Sequence, residues 1–303
     1  VASRGLGDVY KRQVRNQGTI TTHGAGSNGV MAQSIGGGGG TGGAAYTPVV
    51  PFFETTTALR ANLAVGGSPG DGARGGNIDV INTGSIDTSE ASSAGILAQS
   101  IGGSGGNASY VASVRASGKT SSMGFSINVG ATGGSGGSGG QVSVVNGPAG
   151  NGSAAPPATI STRGDGAYGI AAISIGGGGG NASITGTLRF ARSVDAGANA
   201  YSAGINIGGS GGSGGVGAAV SVDNQGLIST RGRAAHGILA QSVGGGGGNG
   251  GTVISVDSGV GFTTNDPGNR NRALALSFGG QGGAGNDSGA VMVHNQGTVE
   301  VFG

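Results

Sequence analysis

Three observations predict that this 303-residue chain is all-β, a right-handed parallel β-helix or β-solenoid. One phrase returns four times: NGVMAQSIGGGGGTGG at 28–43, AGILAQSIGGSGGN at 94–107, YGIAAISIGGGGGN at 168–181 and HGILAQSVGGGGGNGG at 236–251. Apolar residues alternate with polar ones in short runs, and no stretch has the i, i+3, i+4, i+7 spacing of a buried helix. Ala, Val, Ile, Ser, Thr and Gly dominate, while the helix formers Lys, Glu and Leu are scarce.

Composition sets the bounds. The chain holds 76 Gly and 7 Pro, 9% charged residues, and neither Trp nor Cys. So much glycine without a period marks disorder, but here a period exists and 35% of residues are hydrophobic. Without Cys there is no disulfide framework and no thiolate metal site. No apolar run approaches the roughly 20 residues of a membrane-spanning helix.

Residues 1–13 stand apart from the repeats. SRGLGDVYKRQ at 3–13 resembles an in-frame translation of a transposase sequencing adapter, so 1–13 are set aside as a non-native scar expected to pack on nothing. Removing Arg4, Lys11, Arg12 and Asp8 from the 15 basic and 13 acidic residues leaves 12 of each. The remaining chain is formally neutral, and its charge implies no nucleic acid or anionic membrane.

Repeats organise residues 14–303 as one solenoid. The glycine opening each phrase falls at Gly29, Gly95, Gly169 and Gly237, spaced 66, 74 and 68 residues apart. Ahead of these lie NQGTITT at 16–22, NTGSIDT at 82–88, ATISTRG at 158–164 and NQGLIST at 224–230; NQGTVEV at 295–301 begins a fifth copy. A G-G-x run closes each period, as in GGSGGSGG at 133–140 and 208–215. The repeats span approximately 14–79, 80–144, 145–221 and 222–292, with a partial copy at 293–303. At three coils per repeat, the expectation is about twelve coils and a rod roughly 60 Å long.

Within the phrase, Ile96, Ala98, Ser100 and Gly102 share one face and shrink along it. That taper predicts glycines at narrow corners, where neighbouring backbones come too close for a Cβ. A flexible linker and polyglycine chains packed side by side in extended helices are the alternatives. Asn and Gly of the N-x-G phrases are expected in left-handed turns, and Asn107 and Asn181 of the N-x-S triplets as turn residues.

No catalytic, cofactor-binding or metal-binding residue is expected. A P-loop needs Lys and Ser/Thr after its last glycine, whereas Thr41, Asn107, Asn181 and Asn249 follow these runs. Gln33, Gln99 and Gln241 share a position that is Ile173 in the third repeat, which excludes a required amide. His23, His236 and His294 lack a carboxylate or second His at metal spacing. The acids (chiefly Asp71, Asp79, Asp87, Glu90, Asp165, Asp223, Asp257 and Asp266) are scattered, and only Asp79 and Asp87 are placed to meet across a turn. The GGSGGSGG runs lack the Asp of calcium-binding nonapeptide rolls.

The phrase GSNGVMAQSIGGGGGTGG, preceded by N-x-G-x-I-x-T and followed by GGSGGSGG-x-V-x-V, resembles passenger regions of large Gram-negative autotransporters. The resemblance covers essentially all of 14–303. The third copy departs from it with AAIS for AQS and with GPAGNGSAAPP at 147–157. It implies a β-helix solenoid passenger, cell-surface or extracellular, exported by type V secretion. Its partners would be its own C-terminal outer-membrane barrel, outside this sequence, and ligands on host or neighbouring cells. A structural or adhesive stalk without catalysis is the leading expectation. The alternative is a spacer in an enzyme or toxin passenger whose active module lies elsewhere.

Overall fold

Period-two alternation produces strands, and equal strands one repeat apart stack on one another. The computed structural model describes residues 12–49, 58–117, 122–147, 157–193, 200–261 and 271–303. Among these the chain is all-β, with no helix. The first lap carries β1 (Arg12–Asn16), β2 (Thr19–Thr22), β3 (Val30–Ile35), β4 (Ala45–Val49) and β5 (Ala58–Val65). The second carries β6 (Ile78–Asn82), β7 (Ser85–Thr88), β8 (Ile96–Ile101), β9 (Val111–Ser117) and β10 (Ser122–Val129). The third has β11 (Val142–Asn146), β12 (Thr159–Thr162), β13 (Tyr168–Ile175), β14 (Thr185–Ser193) and β15 (Ala200–Ile207). The fourth has β16 (Val220–Asn224), β17 (Leu227–Arg231), β18 (His236–Val243), β19 (Val253–Gly261) and β20 (Asn271–Phe278); β21 (Val291–Asn295) and β22 (Thr298–Phe302) follow.

Each strand pairs in parallel with the strand five places later, which gives five parallel sheets. Asn16 lies beside Asn82, Asn82 beside Asn146, and Asn146 beside Asn224. One repeat is therefore one coil, not three. The four laps rise about 20 Å at roughly 4.8 Å per strand, and the 60 Å rod is corrected accordingly. The reason is width: five strands and two glycine runs occupy a single level.

The β1-, β2- and β3-type sheets enclose the apolar core. Val80, Val144 and Val222 stack in one ladder, Ile86, Ile160 and Ile228 in a second, and Ile96 with Ile170 in a third. These three sheets are buried mainly on the inner face, so most of their strands keep the alternation that exposed the pattern in sequence. The fourth- and fifth-type sheets form a separate lobe, and the glycine runs make the neck between core and lobe.

In the neck, glycines bond from run to run. Gly102 and Gly105 donate their N–H to Ile175 and Gly178 of the next coil, while Gly103 and Gly106 donate to Ala73 and Gly70 of the opposing run. Gly137 donates in turn to Gly103, and Gly177 to Gly137, both at 2.8 Å. Threefold periodicity with bonds only between chains is the polyproline II geometry in its glycine form. The close backbone approach expected of these glycines is present, but in side-by-side extended runs rather than at corners. Two of three positions face other backbones: a Cβ on Gly103 would strike the Gly37 carbonyl, and one on Gly106 the Gly40 carbonyl. The third position points outward and holds Ser104, Asn107, Gly178 or Asn181. Asn107 and Asn181 therefore lie in extended runs, not turns.

The taper is real, but it leads into the neck. Ile96 and Ala98 fill the core, and Ser100 Oγ accepts from Gly140 N at 2.8 Å and donates to Gly76 O at 2.9 Å. Ser174 repeats the clip between Ala218 and Gly140, as does Ser242 between Gly289 and Ala218. The Asn of N-x-G is a strand residue rather than a left-handed turn. Asn16, Asn82, Asn146, Asn224 and Asn295 link side chain to side chain at 2.7–2.8 Å. A buried amide satisfied from above and below stabilises the stack by about 1 kcal/mol per link. Gly84 serves close approach, since a Cβ there would meet the Gly18 carbonyl.

Positive-φ backbone falls instead mainly between the second and third strands of each lap, at Gly26 (71°), Ser92 (57°), Gly166 (66°), Gly232 (130°) and Ala234 (53°), and once just after a ladder Asn, at Gly147 (140°). Arg12 and Gln13 also depart from expectation. They pair with Ile78 and Asp79 in β1, Arg12 Nη1 reaches Ser34 Oγ at 3.0 Å, and Gln13 Nε2 reaches Asp79 at 3.2 Å. A parallel ladder recruits any extended residue in register because its bonds are backbone bonds. Residues 1–11 lie outside the described residues.

Two stability outcomes follow. Gly180→Ala should cost more than about 2 kcal/mol, because its Cβ would strike the Gly106 carbonyl, whereas Gly178→Ala should be nearly neutral in urea unfolding. Ala234→Gly should raise stability by on the order of 0.5–1 kcal/mol, since glycine adopts that φ without strain.

Candidate functional site

The chemistry-bearing side chains are distributed by the stack rather than gathered into a pocket. No group of three or more His, Cys, Asp or Glu able to hold a metal occurs among the described residues. Asp79 and Asp87 do not form an acid pair: Asp79 accepts from Gln13 in the β1-type sheet, while both Asp87 oxygens accept from Arg163 Nη2, at 2.8 and 2.7 Å, on the β2-type face. Asp71 accepts the Ser135 N–H at 2.7 Å on the outward side of the neck. Glu90 is exposed at the turn before β8, and Asp266 lies outside the described residues.

Histidines follow the same rule. His23 meets Ser89 at 3.3 Å, and His236 stacks on Tyr168 with centroids 5.4 Å apart. His294 has a carboxylate neighbour after all. Asp223 lies 3.3 Å away because Asp223 and His294 are register partners 71 residues apart, a proximity that sequence spacing hides. Gln33 donates to Gln99 at 2.9 Å on the outer face of the β3-type sheet, and Ile173 lies in register between Gln99 and Gln241, interrupting that ladder.

The lobe holds what the sequence reading missed. Its two sheets turn polar residues toward each other and apolar residues outward. Between them, Asn128 Nδ2 reaches Ser113 at 2.8 Å, Thr187 at 2.7 Å and Asn206 at 2.8 Å, and Asn62 reaches Thr47 at 2.9 Å. Arg115 and Arg189, 8% and 4% exposed, lie side by side in the same interior. Each has its guanidinium against a glycine of the facing sheet, Gly124 for Arg115 and Gly204 for Arg189, where a Cβ would collide with it. Arg189 also pairs with Asp257 at 3.4 Å and donates to Ser126 at 2.8 Å. Desolvation first, then Arg60 and Arg189, pushes the Arg115 guanidinium below its ordinary value. The signal was present in sequence: SVRAS at 113–117 and TLRFA at 187–191 alternate, but the polar phase is the buried one.

The outer surface of the lobe is correspondingly apolar. On the fifth-type sheet Leu63 is 64% and Leu274 60% exposed, and Phe125, Tyr201 and Phe278 are exposed beside them. A shallow groove of about 420 Å³ runs past Phe125, Tyr201 and Leu274. Exposed, repetitive apolar faces of this kind suit contact with another surface. Comparisons with protein-family models, with curated proteins and with solved structures found no match.

Exposed ion pairs tie successive coils together. Asp165 accepts the Arg233 N–H at 2.8 Å and pairs with its guanidinium at 3.2 Å. The backbone hydrogen bond, then the side-chain one, hold this carboxyl below the usual carboxylate range. A depressed folded-state value gives stability that is present above the unfolded value near 4 and lost as pH falls through the folded one. Asp165→Asn should therefore be less stable than the parent chain at neutral pH, and the difference should close on acidification, read by unfolding midpoints from pH 7 to pH 3.

Proposed function

We propose that the chain is part of a structural and adhesive passenger stalk, displayed on or released from the surface of a Gram-negative cell by type V secretion, with no catalysis in these residues. The observation carrying this reading is the phrase G-[IV]-x-A-x-S-[IV]-G-G, whose copies do the same three jobs in successive coils. Its apolar residues fill the core, its Ser clips the opposing run, and its glycines build the neck. Such a coil serves display: it multiplies outward positions while holding the backbone rigid.

A right-handed winding fits the strong preference of parallel crossovers for that hand. Freedom from Cys suits export through membranes as an unfolded chain, with folding driven outside by coil-on-coil pairing. Its partners would be its own outer-membrane barrel and ligands on host or neighbouring cells.

The test is display. Residues 14–303 fused to a generic outer-membrane barrel translocator and expressed in a Gram-negative host should become accessible to protease on intact cells, and those cells should gain adhesion to one another or to surfaces. Retention in the periplasm, or display without any gain in adhesion, would overturn the adhesive reading.

A further inference from the structure

The lobe is inside out, and that inversion needs a partner. Water-facing sheets of soluble proteins normally present the polar half of their alternation. Here β5, β10, β15 and β20 keep Asn, Ser and Gly inside and present Leu63, Ile127, Ile205 and Leu276 as one register-aligned row outside. Val65, Val129, Ile207 and Phe278 make a second row beside it. Among the described outward positions of this sheet the only charge is Arg272, at the tip-side edge.

We infer that this outer face is a self-association surface: a second copy of the chain packs its own β5–β10–β15–β20 face against it, sheet on sheet. Four features favour a second copy over other occupants. Apart from Arg272 at its edge the described face carries no charge, so it gives little electrostatic handle to an acidic or basic partner. It is made of equivalent register-aligned rows that can interdigitate with their own copies across a twofold axis, two such faces packing about 10 Å apart. Its footprint is four strands by about eight residues, roughly 500 Å² per copy, so two copies bury about 1,000 Å², the lower bound for a specific interface. A lipid bilayer is disfavoured because immersion would bring the lobe interior, with Arg115, Arg189 and Asp257 between open sheet edges, into hydrocarbon.

The inference stands apart from the passenger reading and needs no secretion system to test. Sedimentation of residues 14–303 at tens of micromolar should show a dimer or larger laterally packed species. Phe125→Asp with Leu276→Asp, both at exposed positions, should weaken association at least tenfold while leaving the far-ultraviolet β signal unchanged. Val114→Asp with Leu188→Asp, on the opposite face of the lobe, should leave it intact. Because the chain has no Cys, Ala203→Cys near the middle of the face gives a single thiol, which should form an intermolecular disulfide on oxidation. A monomer at these concentrations, an oligomer indifferent to the Phe125 and Leu276 changes, or one broken by the Val114 and Leu188 changes would overturn the inference. A monomer that floats with neutral phosphatidylcholine vesicles would assign the face to lipid instead.

Discussion

Glycine N–H groups in the neck hold this molecule together, and their geometry dictates much of the rest. A strand has two directions in which to donate, both within its sheet; an extended threefold chain has three. Gly102 and Gly103 use two of them, one toward the next coil and one across to the opposing run. The third points to solvent and is free for Ser, Asn or Asp. Such packing requires that no Cβ intervene, which is why glycine comes in pairs separated by a variable residue. Each bond is worth only about 1 kcal/mol net, but a buried N–H left without a partner would cost more than a bond contributes.

The neck lets one coil hold two unlike compartments. On one side, small aliphatic residues meet in ladders and exclude water. On the other, amides, hydroxyls and guanidinium groups meet in ladders of their own. Neither compartment needs a large core, because each coil is buried between its neighbours, as in other solenoids. The Ser clips at Ser100, Ser174 and Ser242 fix where the aliphatic side ends and the neck begins.

Much of this was legible in the amino-acid sequence, and the misses have physical causes. Period-two alternation found the strands, and the inward run of Ile96, Ala98 and Ser100 was read with the correct phase. The number of coils was misjudged because a parallel ladder leaves no mark of where its partner lies; only the pairing of Asn16 with Asn82 sets the lap at one repeat. The left-handed positions were misplaced because Asn and Gly serve both turns and ladders, and here the ladder wins at Asn82, while Ser92 and Ala234 take the strained turn. The lobe was missed because alternation alone does not say which phase is inside. Arg115 and Arg189 are buried where the usual rule puts Leu, and Gly124 and Gly204 across the gap make the room.

Equivalence of the coils has a genetic consequence. Val80, Val144 and Val222 occupy the same level of the same ladder, so the upper surface of one coil is nearly interchangeable with that of the next. Unequal crossing-over between two copies of the AQSIGG-encoding segment would delete or duplicate one whole lap in frame, and the new junction would inherit matching ladders in the core, the neck and most of the lobe. Between Asn146 and Thr159 the third lap has ten more residues than the second has between their register partners Asn82 and Ser85, and it would carry that extra segment with it. A gene of this kind can change its length by recombination in steps of one coil, without passing through a protein that cannot fold.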